Sequence, residues 1–385
     1  MKLGIKVKKA YLEDRILENA LLIIEDGLIK SILNLKDEKN IKLDRVLDMK
    51  NYNLMPGLID THIRGGASFD TMDGTFQSIN EISKYLSTRG VTSFVPTTVT
   101  DDISNIKNAV ENVKECIDKV EGAEVLGSYV EGPYLTKEHK GAHPENLLKH
   151  IDLDEIKEIL EVGEGTVRTI TIAPEKENSI ESIKYITDRG VNVSMGHTSS
   201  DYDRAIEAID AGAKIAVHIY NGMKGLKHRE PALIGAALTR DDVYCELIAD
   251  MIHIHPAAID IVIRCKGKDK VVLISDAMRA GGLEDGEYML GTLKVIVKNG
   301  VARTESGSLA GSTTNLMYSI KNIIKNVSVT DIDAINMASL NPARLLKIDK
   351  EIGSIKEGKK ANLVVVDDNF NVIKTFINGK IVYEV

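Results

Sequence analysis

Along residues 1–53, apolar and polar positions alternate in short runs, among them 3–7, 21–24 and 28–33, broken by turn signals such as Glu25-Asp26-Gly27. Period-two alternation sends successive side chains to opposite faces, so these runs predict antiparallel strands with one buried face. The pattern returns at the far end in runs 361–367, 372–377 and 380–383, the last two separated by Asn378-Gly379. An Asn-Gly pair between apolar runs predicts a two-residue hairpin. Isolated hairpins are marginal in water. The two strand-rich ends are therefore expected to complete one another as a small β-sandwich built from residues 1–54 and 350–385.

Between these ends the period changes. Eight short apolar runs, at 54–63, 91–99, 125–135, 169–174, 191–198, 214–221, 246–253 and 271–277, are mostly separated by stretches of helical period, such as 82–89, 106–120, 153–160, 180–188 and 202–211. Apolar runs alternating with helices predict βα units around a parallel sheet. Eight units predict a TIM (β/α)8 barrel over residues 55–349. An open doubly wound sheet is the rival. It does not explain why nearly every run ends in polar residues, on the face where barrel active sites sit.

Composition alters this picture little. The 385 residues are 43% hydrophobic and 28% charged, an ordinary globular balance. A formal net charge of −8 argues against nucleic acid as a partner, and an anionic ligand needs a local cationic pocket. Cys116, Cys245 and Cys265 form no CxxC pair and are expected as buried thiols in a reducing compartment. Charges interrupt the N-terminal apolar residues, unlike a signal peptide, and no apolar run approaches the ~18 residues of a membrane span. The expected location is cytoplasmic.

The chemistry lies at the ends of the runs. The first closes on Asp60-Thr61-His62-Ile63-Arg64, where period two puts His62 and Arg64 on one side. The third ends at Glu131, a carboxylate after mostly apolar positions, whose burial requires a partner. His197 and His218 end the fifth and sixth. Glu131, His197 and His218 together form a His₂Glu set, and three protein ligands with one open position is how catalytic zinc is held. Such donors suit one divalent ion per subunit, with Zn2+ first and Fe2+, Mn2+ or Co2+ also accepted. Asp276 ends the eighth run, across the mouth from these ligands, as the natural general base toward a metal-activated water.

Several segments carry a resemblance. Met55–His62, Glu131-Gly132-Pro133-Tyr134, Lys140-Gly141-Ala142-His143, Gly196-His197-Thr198, His218–Met223, Arg229-Glu230-Pro231, Ile248–His253, Ser275-Asp276-Ala277 and Leu309–Thr313 run over nearly the whole chain. Together they resemble the amidohydrolase superfamily and, within it, the N-acetylglucosamine-6-phosphate deacetylases. The resemblance implies a barrel set in a β-sandwich, a metal on Glu131, His197 and His218, and Asp276 as catalytic acid/base. It implies His143 beside the acetamido group, and Asn221, Gly222, Arg229 and His253 on sugar and phosphate. It also implies a homodimer in which Arg229 reaches the neighbouring site. One departure stands out: binuclear amidohydrolases usually carry His-x-His after the first strand, whereas here Arg64 replaces the second His. A guanidinium does not ligate a metal, which leaves His62 as a contact for a weaker second ion. Another amidohydrolase activity, on a different N-acyl amide, and a non-catalytic relative of the fold are the alternatives.

Overall fold

The computed structural model describes residues 2–37 and 41–385. Eight short strands build the central sheet: Leu58–Ile63, Val91–Pro96, Ser128–Val130, Val167–Ile172, Asn192–Met195, Ile215–Ala216, Tyr244–Leu247 and Val271–Leu273. The third to eighth pair in sequence order, and the first pairs in parallel with the second. A parallel bridge between Thr97 and Tyr129 joins the second to the third. The Asp276 amide donates to the His62 carbonyl and the Arg64 amide to the Ala277 carbonyl, both at 2.9 Å, so the chain after the eighth strand returns to the first. The sheet is a closed TIM-like barrel, and closure removes the edges an open sheet would expose.

Each of the eight apolar runs overlaps one barrel strand, although Val167–Ile172 and Tyr244–Leu247 each begin two residues before the run that marks them. The run at 54–63 divides, because Arg45–Pro56 is a strand of the terminal sheet and the barrel begins at Leu58. Gly57 makes the turn where a Cβ would lie 2.2 Å from Thr92 Oγ1. The five helix stretches correspond to Phe76–Thr88, Ile103–Cys116, Leu153–Gly163, Ser179–Thr187 and Tyr202–Asp210. The helix Ala232–Thr239 gave no periodic signal because Ala232 to Leu238 are all buried, leaving no polar face to set a period.

The terminal segments form one seven-stranded sheet in the order Lys380–Glu384, Val372–Ile377, Leu363–Val366, Arg45–Pro56, Lys2–Tyr11, Ile16–Glu25, Leu28–Asn34. The sheet curls until Leu28 bridges to Lys360, enclosing Ile5, Leu22, Leu54, Leu363 and Phe376, so the expected layers are two halves of one sheet. Its pairing is not wholly antiparallel: Lys2–Tyr11 runs parallel to Arg45–Pro56, a crossover that strand patterning does not reveal. Asn378 and Gly379, at φ 50° and 74°, turn the expected hairpin between Ile377 and Lys380.

Two features depart from expectation. After the eighth barrel strand an antiparallel sheet, Gly286–Leu290, Leu293–Lys298 and Val301–Thr304, packs its own small core of Met278, Leu290, Val295 and Val297. Cys116 and Cys245 are buried, but Cys265 is exposed, one position off the buried stripe of Ile259, Val262 and Lys266 on its helix. No described helix is long and apolar enough to cross a membrane.

Candidate functional site

At one end of the barrel the strands deliver His62 and Arg64 from the first, Glu131 from the third, His197 from the fifth, His218 from the sixth and Asp276 from the eighth. His197, His218 and Asp276 hold left-handed backbone conformations, φ 47°, 28° and 45°, outside the usual range of L-residues. Such strain persists only where surrounding contacts enforce it, and it clusters at functional sites. Here it turns each side chain inward just past its strand.

Glu131 is fully buried at the centre. Its Oε1 lies 2.9 Å from His218 Nε2 and 3.2 Å from His197 Nε2. Its Oε2 faces Arg64 Nη2, His62 Nε2 at 3.5 Å and His143 Nε2 at 3.6 Å. The far nitrogens fix the tautomers. His197 Nδ1 lies 2.8 Å from the His139 carbonyl and His218 Nδ1 3.2 Å from the Asn221 carbonyl. A carbonyl only accepts, so each Nδ1 carries a proton and Nε2 is the nitrogen left to turn a lone pair toward Glu131. His197 Nε2 is buried with no hydrogen-bond partner among the described residues. Two lone pairs and a carboxylate oxygen meeting in a buried space require a cation between them. The donor set fits a divalent metal.

A second grouping competes for that ion, since Glu131, His143 and His197 bring their ligand atoms within 4.8 Å of one another. The tautomer of His143 decides against it. The Thr100 amide donates to His143 Nδ1 at 3.3 Å, with Thr100 Oγ1 at 2.7 Å. Nδ1 is therefore bare and Nε2 carries the proton, which makes His143 a donor into the site and not a ligand.

Burial dominates the electrostatics. It pushes the His143 imidazole down to about 3 and lowers His197 as well, keeping both neutral. Burial alone would raise the carboxyls of Glu131 and Asp276, yet Arg64 and then His62 hold Glu131 well below its usual value and Asp276 below its own. Arg64 Nε donates to Asp276 Oδ1 at 2.9 Å. Asp276 thus stands beside Glu131 and not across the mouth from it, because closure places the eighth strand next to the first.

A pocket of about 200 Å³ opens over this cluster, bordered by Arg64, His143, Asn221, Gly222, His253 and Asp276. His253 is oriented by Asp250, whose Oδ2 is 2.7 Å from its Nδ1. Gly222, at φ 61°, passes so close under His197 that a Cβ would sit 2.7 Å from Nδ1. Leu290 and Leu309, from the inserted sheet and the segment after it, close one side. Arg229 is not part of this pocket: it is exposed at the tip of a turn in which Lys227 and Glu230 exchange backbone hydrogen bonds of 3.0 and 3.1 Å.

Three residues beneath and beside the site were not singled out from the sequence. Glu246, fully buried, places Oε2 3.5 Å from His62 Nδ1. A carboxylate inside the apolar run Cys245-Glu246-Leu247-Ile248 was the signal available. Tyr129, two residues before Glu131 on the same strand face, packs against His62 with ring centroids 4.6 Å apart and planes tilted by 56°. Glu175 accepts from Thr136 Oγ1 at 2.5 Å, from the Ser199 amide at 2.6 Å and from Thr198 Oγ1, and no local pattern marks it.

Comparison with known proteins agrees with this geometry. The chain is 41% identical to the N-acetylglucosamine-6-phosphate deacetylase of Vibrio furnissii, over 94% of this chain and 90% of that protein. It is 39% identical to the N-acetylgalactosamine-6-phosphate deacetylase of Escherichia coli O157:H7, over 98% of each. The N-acetyl-D-glucosamine-6-phosphate deacetylase of Mycobacterium smegmatis, solved with N-acetyl-D-glucosamine-6-phosphate, superposes with a TM-score of 0.92 at 28% identity over 99% of both chains. The Thermotoga maritima deacetylase does so with a TM-score of 0.89 at 32% identity, over 99% of this chain and 100% of that one. The sequence profile of the Amidohydrolase family matches residues 53–382, and with a His- and carboxylate-lined barrel mouth of this kind the chain belongs to that family.

Proposed function

We propose that this protein hydrolyses the acetamide of N-acetyl-D-glucosamine 6-phosphate, releasing acetate and D-glucosamine 6-phosphate. The observation that carries the reading is the pair of bare imidazole nitrogens of His197 and His218 meeting Glu131 Oε1, with Asp276 linked to Glu131 through Arg64. Glu131, His197 and His218 hold one divalent ion, Zn2+ by preference, with Fe2+, Mn2+ or Co2+ suited to the same donors. When bound, the ion polarises an amide carbonyl and lowers the pKa of water.

The side chains supply the rest. Asp276, kept ionised by Arg64, takes the proton from the attacking water and returns it to the departing amine. His143, neutral with its proton on Nε2, donates to the acetamide oxygen as negative charge develops there. Asn221, Gly222 and His253 line the pocket where the sugar lies, and Arg229 of a second copy in a homodimer takes the phosphate. The reaction is cytoplasmic in this reading, which the free thiols Cys116, Cys245 and Cys265 favour. In this reading the chain divides into a terminal domain and a barrel domain at Gly57, slightly beyond the boundary expected after residue 54, because Arg45–Pro56 belongs whole to the terminal sheet.

The 39% identical relative favours a second substrate, N-acetyl-D-galactosamine 6-phosphate. The test is acetate release by the metal-stripped protein, with and without added Zn2+, from both phosphorylated sugars and from unphosphorylated N-acetylglucosamine. Metal-dependent turnover fastest on the glucosamine derivative is expected. Preference for the galactosamine derivative would move the assignment to that epimer, turnover without phosphate preference would point to another N-acyl amide, and no turnover would leave a non-catalytic relative.

A further inference from the structure

Arg64 has an unusual setting for a buried guanidinium. Nη2 contacts Glu131 Oε2, Nε donates to Asp276 Oδ1 at 2.9 Å, and Nη1 donates to the Thr98 carbonyl at 3.0 Å. Next to it His62 lies 3.5 Å from each of Glu131 Oε2, Asp276 Oδ1 and Glu246 Oε2, and neither ring nitrogen has a hydrogen-bond partner among the described residues. Glu246 Oε1 is likewise buried and unpartnered. Three carboxylates and an imidazole thus surround a volume whose permanently charged group is one guanidinium. Glu131 divides its two oxygens between this volume and the His197–His218 side.

We propose that Arg64 is a built-in cation filling a second metal-type site, walled by His62, Glu131, Asp276 and Glu246. Its fixed charge bridges Glu131 and Asp276 where a second divalent ion would otherwise sit. A guanidinium offers no lone pair to a metal, so the residues here do not fit a second ion while Arg64 is present. The fork gives what a bridging ion would give: it neutralises the two carboxylates, fixes their separation and never dissociates. The proposal rests on the metal assignment above only for the identity of the first ion.

The test counts ions. Protein loaded with excess Zn2+ and desalted is measured by elemental analysis, as wild type and as Arg64→His. One ion per wild-type chain and two per Arg64→His chain are expected. An unchanged count in Arg64→His, or two ions in the wild type, overturns the proposal. A wild type without any tight ion sinks the first-site assignment instead, and the extra ion gained by Arg64→His still decides this one. If Arg64→His does not fold, Arg64→Ala takes its place. There, calorimetric titration with Zn2+ should show an added site whose affinity drops as millimolar guanidinium, too dilute to denature, competes for the vacated volume, while the first site is unmoved. An Arg64→Ala protein that gains no ion, or whose added ion ignores guanidinium, also counts against it.

Discussion

At the residue scale, chemistry in this site is divided by which nitrogen each imidazole protonates. His197 and His218 commit Nδ1 to carbonyls and offer bare Nε2, whereas His143 commits Nδ1 to an amide and offers Nε2–H. The sequence located His197 and His218 because polar residues ending apolar runs are conspicuous, whereas His143 ends no such run and was reached only through the family resemblance. The sequence is silent on all three tautomers, which depend on carbonyls and amides brought together from separate loops. Asp276 was legible for the same reason as His197 and His218, but its neighbour was not: only barrel closure makes the first and eighth strands adjacent. Asp276→Asn keeps the shape and removes the base, so kcat is expected to fall by at least ~10²-fold with bound metal unchanged. Near-normal turnover, measured beside elemental analysis, would remove Asp276 from the mechanism. Gly222 makes a separate case. A methyl there meets His197 Nδ1 at 2.7 Å and the His139 carbonyl at 3.1 Å, and φ of 61° adds strain. Gly222→Ala should displace His197 and weaken metal binding by ~10–100-fold, the usual cost of disturbing a group that orients a ligand. An unaltered Zn2+ dissociation constant would mean that the loop yields without moving the ring.

At the scale of elements, the site depends on loops held to one another across strand ends. The Thr136 amide donates to the His197 carbonyl at 2.8 Å, and Glu175, after the fourth strand, grips Thr136 on one side and Thr198 and Ser199 on the other. The segment that presents His139 and His143 is thereby fixed against the one that presents His197. Such a clamp has no periodic signature, since it joins three positions of remote sequence, and Glu175 is one of many charged residues outside the apolar runs. The eight strands were legible because each is a short apolar run bounded by polar positions. The inserted sheet was passed over although Leu293, Val295 and Val297 alternate with polar or exposed positions and Asn299-Gly300 is a hairpin pair, because it interrupts the βα rhythm. Glu175→Ala is expected to reduce Zn2+ affinity by ~10-fold or more and to raise amide hydrogen exchange across residues 136–143, with the barrel's circular dichroism unchanged. Exchange as slow as in the wild type would show that the backbone contact alone holds the loops.

At the scale of the whole molecule, a chain with net charge −8 must draw a dianionic substrate. Within one chain the pocket has Arg64 committed to two carboxylates, and it lacks Arg229, which stands exposed with Lys227 and His228 on a turn. A cationic turn that does not line its own pocket is suited to completing the pocket of a second copy, the arrangement that the proposed homodimer with a shared site requires. Charge-assisted hydrogen bonds contribute about 1.5–3 kcal/mol, so Arg229→Ala should lower kcat/KM on the phosphorylated sugar by about one to two powers of ten. N-acetylglucosamine itself should lose little, because it has no phosphate to bind. Equal loss on both would assign Arg229 to the fold. The arrangement between copies has a sharper signature in mixed dimers. Arg229→Ala and Asp276→Asn proteins, each impaired alone, are unfolded together and refolded as a mixture. If Arg229 serves the partner's pocket, one pocket of each hybrid combines an intact Asp276 with an intact Arg229, and the mixture regains activity beyond the sum of its parts. If Arg229 serves its own pocket, every pocket in the hybrid lacks one of the two, and mixing restores nothing.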